Sequence, residues 1–159
     1  MSKVLLDEID HQILDILIDN TRIPFTDISK RLLISAGTVH VRVKKMEESG
    51  IIKGSSLNLD YEKLGYSFIA YVGIFLEKTN ATAKVIEELD KIPYITVAHI
   101  TTGKFNIFCK VRARDTNHAK EIIFKIDDVP GVSRTETMIS LEESINDKKR
   151  LMHSIFNEL

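Results

Sequence analysis

The chain has 159 residues, 43% of them hydrophobic and 28% charged, and its 22 lysines and arginines almost balance its 23 aspartates and glutamates. One ordinary domain or two small ones fit this length, and the composition excludes a disordered chain. No apolar run approaches the ~20 residues needed to cross a bilayer, so we expect no membrane partner. The only cysteine, Cys109, cannot form an internal disulfide, and we therefore expect a reduced, intracellular compartment.

Three helices are predicted in the first fifty residues. Asp7 is a suitable N-cap for the first helix, whose apolar residues recur at helical spacing. After the connection at Pro24, Thr26 can cap a second helix. Ser35 can cap a third helix that stops at Gly50. A short helix, a tight link and a second capped helix are typical of a helix-turn-helix.

Positive charge is concentrated in the second and third of these helices. Residues 1–27 hold two basic and six acidic side chains, whereas residues 28–46 hold no acidic residue. The basic residues of this acid-free window are Lys30, Arg31, Arg42, Lys44 and Lys45. Removing carboxylates from one surface avoids repulsion from a polyanion such as DNA.

The third helix separates an apolar stripe from a polar, basic face. At about 100° per residue the stripe consists of Ala36, Val39, Val43 and Met46. The opposite arc and its shoulders hold Gly37, Thr38, His40, Val41, Arg42, Lys44 and Lys45. Such a face suits the DNA major groove, where basic side chains meet phosphates or guanine edges and a valine methyl packs on thymine. A charged face is equally common on any solvated helix, and Arg42 could instead pair with Glu47 or Asp27.

The pattern changes to strands after residue 51. Residues 51–65 are predicted to form a short strand and a connector. Segments rich in β-branched and aromatic residues follow at 66–76, 94–102, 105–113 and 132–141. One helix lies between the first two of these strands and another between the last two. This order fits a ferredoxin-like βαββαβ domain of the α+β class, with helices on one face of an antiparallel sheet.

We therefore divide the chain into four segments. They are a helix-turn-helix domain over 1–52, a connector over 53–65, a ferredoxin-like domain over 66–142 and a helical tail over 143–159.

The first long strand is apolar on both faces. Phe68, Ala70, Val72, Ile74 and Leu76 make one face, and Ile69, Tyr71, Gly73 and Phe75 make the other. A strand that is buried on one side only should alternate with polar residues. Helices of this chain can cover one face, and we expect a second copy of the sheet to cover the other.

We find no catalytic or metal-binding pattern. If the hairpin turns at Gly103–Lys104, His99 lies nearly opposite Cys109, and a Cys–His pair can be nucleophilic. That pair lacks oxyanion donors and an orienting acid, so we expect neither an enzyme nor a cofactor. One cysteine and scattered histidines show no metal-ligand spacing. His11 and His118 are expected on exposed helix surfaces.

Several segments together resemble the Lrp/AsnC family of bacterial and archaeal transcription regulators. They are LDEIDHQILDIL, NTRIPFTDISKRLLIS, GTVHVRVKKMEESGIIKG, LNLDYEKLGY, TTGKFNIF and RTETMI. The resemblance covers residues 5–141, and SAGTVHVRVKKM is similar to the asparagine-responsive branch. It implies a winged-helix-like domain that binds double-stranded DNA, and an effector domain that dimerises and assembles further, often to an octamer. It also implies a cytoplasmic, nucleoid-associated protein.

Carried onto this sequence, the resemblance implies a set of DNA contacts on the third helix. They are Gly37, Thr38, His40, Val41, Arg42, Lys44 and Lys45, together with Ser35 as the cap or as a phosphate contact. A histidine on the shoulder of a helix, such as His40, is more often only exposed.

The segment TTGKFN, residues 101–106, matches the loop that receives the effector in this family. By spacing alone it is a hairpin in which Gly103 supplies positive φ. The resemblance implies an amino-acid site formed by Thr101, Thr102, Gly103, Phe105 and Asn106, with Thr135 and Thr137 from a neighbouring subunit. Both strand threonines can equally be ordinary sheet residues. An aspartate is common in the family at the position of Asn106, whose amide oxygen accepts a hydrogen bond without charge.

The sequence therefore predicts a sequence-specific transcription regulator whose assembly or DNA affinity responds to an amino acid. Asparagine leads the candidates, and leucine and methionine follow. One alternative is a DNA-organising protein without an effector. The other is a small-molecule-binding regulatory subunit that does not bind DNA.

Overall fold

A computed structural model describes residues 5–147 and 149–157. The outer ends of the predicted first domain and of the tail, residues 1–4 and 158–159, lie outside the described residues. The chain forms two compact units. The helical unit comprises Met1–Asn58 and Ile145–Leu159, and the sheet unit comprises Leu59–Ser144. In the described part of the chain, no helix is both long and apolar enough to cross a membrane.

The helical unit is built from three helices and a C-terminal fourth. They are α1 (Glu8–Asp19), α2 (Phe25–Leu32), α3 (Ala36–Glu48) and, after the sheet unit, α6 (Arg150–Asn157). Its core is formed by Ile13, Ile23, Ile28, Val39, Val43 and Met46, so the predicted apolar stripe of α3 faces inward. On α1, Asp15 and Asp19 pair with His153 at 2.7 Å and with Lys149 at 2.6 Å. These two ion pairs link the C-terminal segment to α1.

Two of the three predicted N-caps are confirmed. Asp7 caps α1 in a reciprocal capping box with Asp10, and the Ser35 hydroxyl accepts a hydrogen bond from the Thr38 amide at 3.0 Å. The prediction for Thr26 is wrong, because α2 begins at Phe25 with Pro24 as its N-cap, two residues before the predicted cap. The carbonyl of Pro24 accepts the first helical hydrogen bonds, and the fixed φ of proline favours a helix start there.

The turn between α2 and α3 depends on an unusual backbone conformation. Leu33 has a φ of 55°, in the left-handed region, and its side chain is 92% exposed. This conformation lets the amide of Ile34 donate to the carbonyl of Ser29 at 3.1 Å, which closes the end of α2. Gly50, with a φ of 75°, ends α3 at the predicted stop.

The sheet unit has the predicted ferredoxin-like order of elements. They are β1 (Phe68–Leu76), α4 (Thr82–Leu89), β2 (Ile95–Ile100), β3 (Ile107–Ala113), α5 (Thr116–Asp127) and β4 (Val132–Ile139). All strand pairs are antiparallel in the order β2-β3-β1-β4. The short strand expected within residues 51–65 is absent, because residues 53–60 have no regular structure. A lone strand there has no pairing partner in one chain.

Both helices of the sheet unit pack on the same face of the sheet. Val72 and Ile74 of β1 are fully buried there against apolar residues of α4 and α5 such as Val85 and Ile122. The other face, which we call the helix-free face, carries an aromatic cluster. Tyr71 stacks on Phe108 at 5.7 Å between ring centroids. The two-sided apolar pattern of β1 thus corresponds to one helix-covered face and one aromatic face.

Two predictions about histidine are wrong, and the Cys–His pair considered in the sequence does not form. In the β2–β3 register Cys109 lies opposite Ala98, and His99 lies opposite Phe108, so the Cys–His pair does not form. Burial raises the pKa of the Cys109 thiol to about 11, which keeps it protonated at neutral pH. His11 and His118 are buried. The Nδ1 atom of His118 accepts a hydrogen bond from the backbone N–H of Arg114 at 3.3 Å, which satisfies it within the sheet unit.

We predict that Leu33→Asn stabilises the helical unit by about 1 kcal/mol, because asparagine tolerates the left-handed region and the leucine side chain makes little contact. Leu33→Val is the matched control and should destabilise the same unit, since a β-branched side chain is least compatible with positive φ. Hydrogen exchange of the α2 and α3 amides measures the free energy of opening. An asparagine variant that opens more easily than the wild type would contradict the assigned turn.

Candidate DNA-binding face and effector loop

The predicted DNA-contacting residues lie together on one side of α3. Gly37, His40, Val41, Lys44 and Lys45 are exposed, and Val41 is 66% exposed in the middle of the helix. A valine side chain exposed at this position buries little apolar surface within a single chain. The arrangement provides an apolar methyl pair flanked by cations and free of carboxylates along the first three turns.

The N-terminus of α3 is held by two hydroxyl groups. Ser35 Oγ accepts from the Thr38 amide and lies 2.8 Å from Thr38 Oγ1. A methyl group at Gly37 would meet only Ser35 Oγ, at an ordinary 3.7 Å. The packing of this chain therefore does not demand a glycine at position 37, and the backbone at the start of α3 is open to an external surface.

Arg42 differs from the other basic residues of α3. Its Nη1 atom donates to Asp7 Oδ2 at 2.7 Å and to Asp10 Oδ1 at 2.8 Å. The predicted alternative partners, Glu47 and Asp27, are wrong. Arg42 is partly buried and joins α3 to the first turn of α1, so the structure places it in a structural ion pair.

Backbone and side-chain contacts at this ion pair shift two ionisation equilibria. The Asp10 backbone N–H, followed by the Arg42 guanidinium, lowers the pKa of Asp7. Hydrogen bonds to Asp10 and then to Asp7 raise the pKa of Arg42. Asp7 and Arg42 are therefore both charged at neutral pH. Because the pKa of Asp7 is lowered, the stability from its pairing is present above the ordinary pKa of an aspartate and is lost as the pH falls through the lowered value. Local sequence patterns could not identify this ion pair, because Arg42 lies 32 and 35 residues from its partners.

The remaining cations of the acid-free window are available to an anionic ligand. Lys30 pairs with Asp27 at 3.4 Å and Lys44 with Glu48 at 3.8 Å, and both pairs are largely exposed. Exposed pairs of this kind contribute little and exchange readily for phosphate. Lys45 forms no ion pair within the described residues. His40 is exposed but not isolated, because its ring edge contacts Phe25 at 6.1 Å between centroids.

The effector loop, residues 101–106, is anchored at its C-terminal arm. The Thr101 amide donates to the Asn106 carbonyl at 3.1 Å, and the Thr101 hydroxyl donates to the Phe105 carbonyl. The backbone N–H of Asn106 donates to the Ile74 carbonyl of β1 at 3.0 Å. These bonds hold Thr101, Phe105 and Asn106 in one arrangement beside β1.

Two predictions for the loop need correction. Gly103 does not have positive φ, and a Cβ there would meet no atom within 4 Å, so the chain itself does not require a glycine. Asn106 Oδ1 is not a free acceptor, because it accepts from the Leu76 amide at 3.0 Å. That bond satisfies a strand amide next to the bulge between Phe75 and Leu76. The bond uses one of the two lone pairs of Oδ1, and the Nδ2 group of Asn106 can donate.

The two strand threonines take different positions. The Thr135 hydroxyl donates to Asp127 Oδ1 at 2.8 Å and so joins β4 to α5 within one chain. Thr137 is exposed and lies opposite Val72 of β1, whereas Thr135 lies opposite Ile74. Within one chain both lie on the side of β4 that faces α5, so the structure does not bring them together with residues 101–106.

A charged cluster next to the loop was missed by the sequence reasoning. Glu136 on β4 pairs with Lys104 of the loop and with Arg134 at 2.9 Å. Lys104, the larger influence, and Arg134 lower the pKa of Glu136. The Arg134 guanidinium also lies over the Phe75 ring at 3.7 Å from its centroid. Period-two alternation places Arg134 and Glu136 on one face of β4, but nothing local indicates the contact with Lys104. Among the residues that the structure describes, no group of histidine, cysteine and acidic side chains could hold a metal ion.

Comparison with known proteins gives two family matches along the chain. Residues 6–53 match a model described as winged helix-turn-helix DNA-binding, and residues 69–149 match the Lrp/AsnC ligand binding domain. The regulatory protein AsnC of Haemophilus influenzae is 36% identical over 141 residues, which cover 88% of this chain and 94% of the relative.

Solved structures agree with these matches. The structure of Escherichia coli AsnC superposes with a TM-score of 0.87 at 32% identity and covers 90% of this chain and 97% of that one. A transcriptional regulator of Neisseria meningitidis in complex with L-Met superposes at 0.85 with 20% identity, covering 91% and 95%, and thus shares the fold. Since these likenesses extend through both units, the chain is a helix-turn-helix transcriptional regulator that belongs to the Lrp/AsnC family.

Proposed function

We propose that this chain binds specific DNA sites through the exposed face of α3 and that an amino acid bound at the effector loop changes its assembly or DNA affinity. The observation that supports this most is the exposed Val41 between His40 and the lysines of α3, on a helix whose opposite stripe is buried. This combination fits base contacts and phosphate contacts on a single surface.

Each exposed residue of α3 has its own part in the proposed complex. Lys44 and Lys45 neutralise phosphates, and Val41 packs on a thymine methyl. Thr38 and Ser35 orient the start of the helix, and Gly37 allows close approach of the backbone. Arg42 contributes by holding α3 against α1 through Asp7 and Asp10. His40 contacts phosphate or a base edge beside Phe25.

The effector is the finer part of the proposal. The similarity to AsnC puts asparagine first, and leucine and methionine follow; the Neisseria relative was solved with L-Met. Backbone N–H groups of the loop and the Thr102 hydroxyl would receive the carboxylate. Because Asn106 is neutral and its Oδ1 already accepts from the Leu76 backbone N–H, the ammonium group finds no charged partner at that position.

Assembly completes the proposal. A homodimer would cover the helix-free face of the sheet with the same face of a second copy, since Tyr71, Phe75 and Phe108 are partly exposed there. Further association to an octamer would follow the family, with effector sites between dimers completed by Thr135 and Thr137. We place this regulator at the nucleoid in the cytoplasm, where its DNA lies.

For DNA binding, we predict that Lys45→Ala weakens binding to every sequence and lowers the salt dependence by about one phosphate contact, because the lysine neutralises a phosphate. Val41→Ser should instead change the preference among sites. Lys84→Ala, on α4 of the sheet unit, is the matched control. Binding isotherms at several salt concentrations provide the measurement. If Lys45→Ala and Val41→Ser both bind promoter DNA as the wild type does, the face assignment is wrong.

For the effector, we predict that Asn106→Asp strengthens amino-acid binding. One aspartate oxygen can keep the bond to the Leu76 amide while the other accepts the ammonium with charge assistance. Coupling of the ligand to DNA affinity should amount to about 1–3 kcal/mol. Calorimetry with the twenty amino acids tests this, with Asn117→Asp as the control for added charge. A chain that binds none of them, as wild type and as Asn106→Asp, would have no amino-acid effector.

For assembly, we predict dimers or larger species of the full chain at micromolar concentration. Tyr71→Lys should dissociate the dimer, because it buries a charge in the aromatic face. Phe124→Lys, on the outer surface of α5, is the control and should leave the dimer intact. Sedimentation velocity distinguishes these states, and a wild-type chain that sediments as a monomer would contradict the proposed interface.

A further inference from the structure

Gly73 stands at a position in β1 where a glycine has no backbone reason to be. It is in the middle of the strand, it is buried, and its φ is not in the left-handed region. A glycine inside a strand weakens it and commonly marks the close approach of another group. In the sequence, Gly73 is only one member of an apolar face of β1, and nothing there explains a glycine. The explanation lies in the side chain that packs against Gly73.

The group that approaches Gly73 is the ring of Phe105. A Cβ atom built on Gly73 would lie 2.3 Å from Phe105 Cδ1 and 2.4 Å from its Cε1. No side chain tolerates such an overlap with a ring atom, so the ring and any Cβ at position 73 exclude each other. Gly73 thus forms a notch in the helix-free face, and the ring of Phe105 occupies it.

Neighbouring groups leave the ring little room to move aside. Phe75 contacts it edge-on at 5.2 Å and Phe108 packs beside it at 5.9 Å, both between ring centroids. The Lys104 ammonium lies 5.3 Å from the ring centroid and is itself paired with Glu136. Displacing the ring from Gly73 therefore also disturbs the cation and aromatic contacts around it.

The position of Phe105 determines the geometry of the effector loop. The carbonyl of Phe105 accepts a hydrogen bond from the Thr101 hydroxyl. The backbone N–H of the next residue, Asn106, donates to the Ile74 carbonyl, and its Oδ1 accepts from the Leu76 backbone N–H. A shift of the ring moves the carbonyl of Phe105 and pulls on both Asn106 bonds. The notch and these bonds together hold the loop against β1.

We propose that Gly73 is a positioning residue for the effector site, acting through Phe105 from a point 32 residues earlier in the chain. This inference rests on the proposed amino-acid site at the loop. Gly73 touches no ligand in this account. It sets how closely Phe105 packs on the sheet, and so sets the position of the loop N–H groups, the Thr102 hydroxyl and Asn106, which face the effector in the proposed site.

The test compares Gly73→Ala with the wild type in the full-length protein. Gly73→Ala should speed hydrogen exchange at the amides of Asn106 and Leu76 and weaken binding of L-asparagine, L-leucine or L-methionine by roughly tenfold, the scale of overpacking strain. Ile69→Val, on the same face of β1, is the control and should change neither. A Gly73→Ala chain with wild-type exchange at both amides and wild-type affinity overturns the proposal.

A double-mutant cycle with Phe105→Leu shows whether the effect passes through the ring. A flexible leucine can move away from a methyl group, so Gly73→Ala should cause no further acceleration of exchange and no further loss of affinity in that background. An equal effect in both backgrounds would mean that Gly73 acts through another contact, such as the dimer face, and overturns the inference. If the wild type binds none of the three amino acids, the proposed effector fails, while the exchange arm still decides whether Gly73 positions the loop.

Discussion

The central strand β1 has to be buried on both faces, and much of the sheet unit follows from that requirement. One face, with Val72 and Ile74 at its centre, is covered by α4 and α5. The other face is covered by no helix of the described sheet unit and instead carries the stacked rings of Tyr71, Phe105 and Phe108. Because the ring of Phe105 belongs to the effector loop, the same surface that favours a second copy of the sheet also anchors the loop. Burial, the proposed assembly and the proposed effector binding thus depend on one strand.

In the helical unit, an ion pair gives one basic residue of α3 a structural role and leaves the other basic residues available to a ligand. Arg42 is fixed by Asp7 and Asp10, and these acids also cap α1. The same carboxylates therefore start one helix and orient another. Lys45, one turn from Arg42, has no ion-pair partner within the described residues. The arginine of α3 attaches this helix to α1, whereas its lysines and an apolar valine are exposed. This arrangement suits the binding of an external polyanion.

Features set by neighbouring residues could be predicted from the sequence, whereas those set by distant contacts could not. The caps at Asp7 and Ser35 and the stop at Gly50 are local, and all three are confirmed. The predicted start of α2 is wrong because the first backbone N–H groups of the helix donate to the carbonyl of Pro24 and not to the side chain of Thr26.

The errors at the candidate sites have the same origin. The partners of Arg42 lie more than thirty residues away in the chain. The pairing of His99 with Phe108, by contrast, is the one that a turn at Gly103–Lys104 gives, so it follows from the sequence. Of the two glycines near the loop, the conspicuous one, Gly103, has open space around it, whereas Gly73 is in contact with a ring. No local sequence pattern distinguishes these two glycines, because the ring that contacts Gly73 belongs to Phe105 in the connection between β2 and β3.

We propose that this chain recognises particular DNA sequences and that an amino acid controls this recognition. Genome-wide mapping of its binding sites in native cells, grown with and without asparagine, leucine or methionine, tests both halves together. We expect discrete sites that share a common sequence and whose occupancy changes with at least one of these amino acids. Diffuse coverage without a shared sequence, or occupancy unaffected by every amino acid supplied, would contradict it.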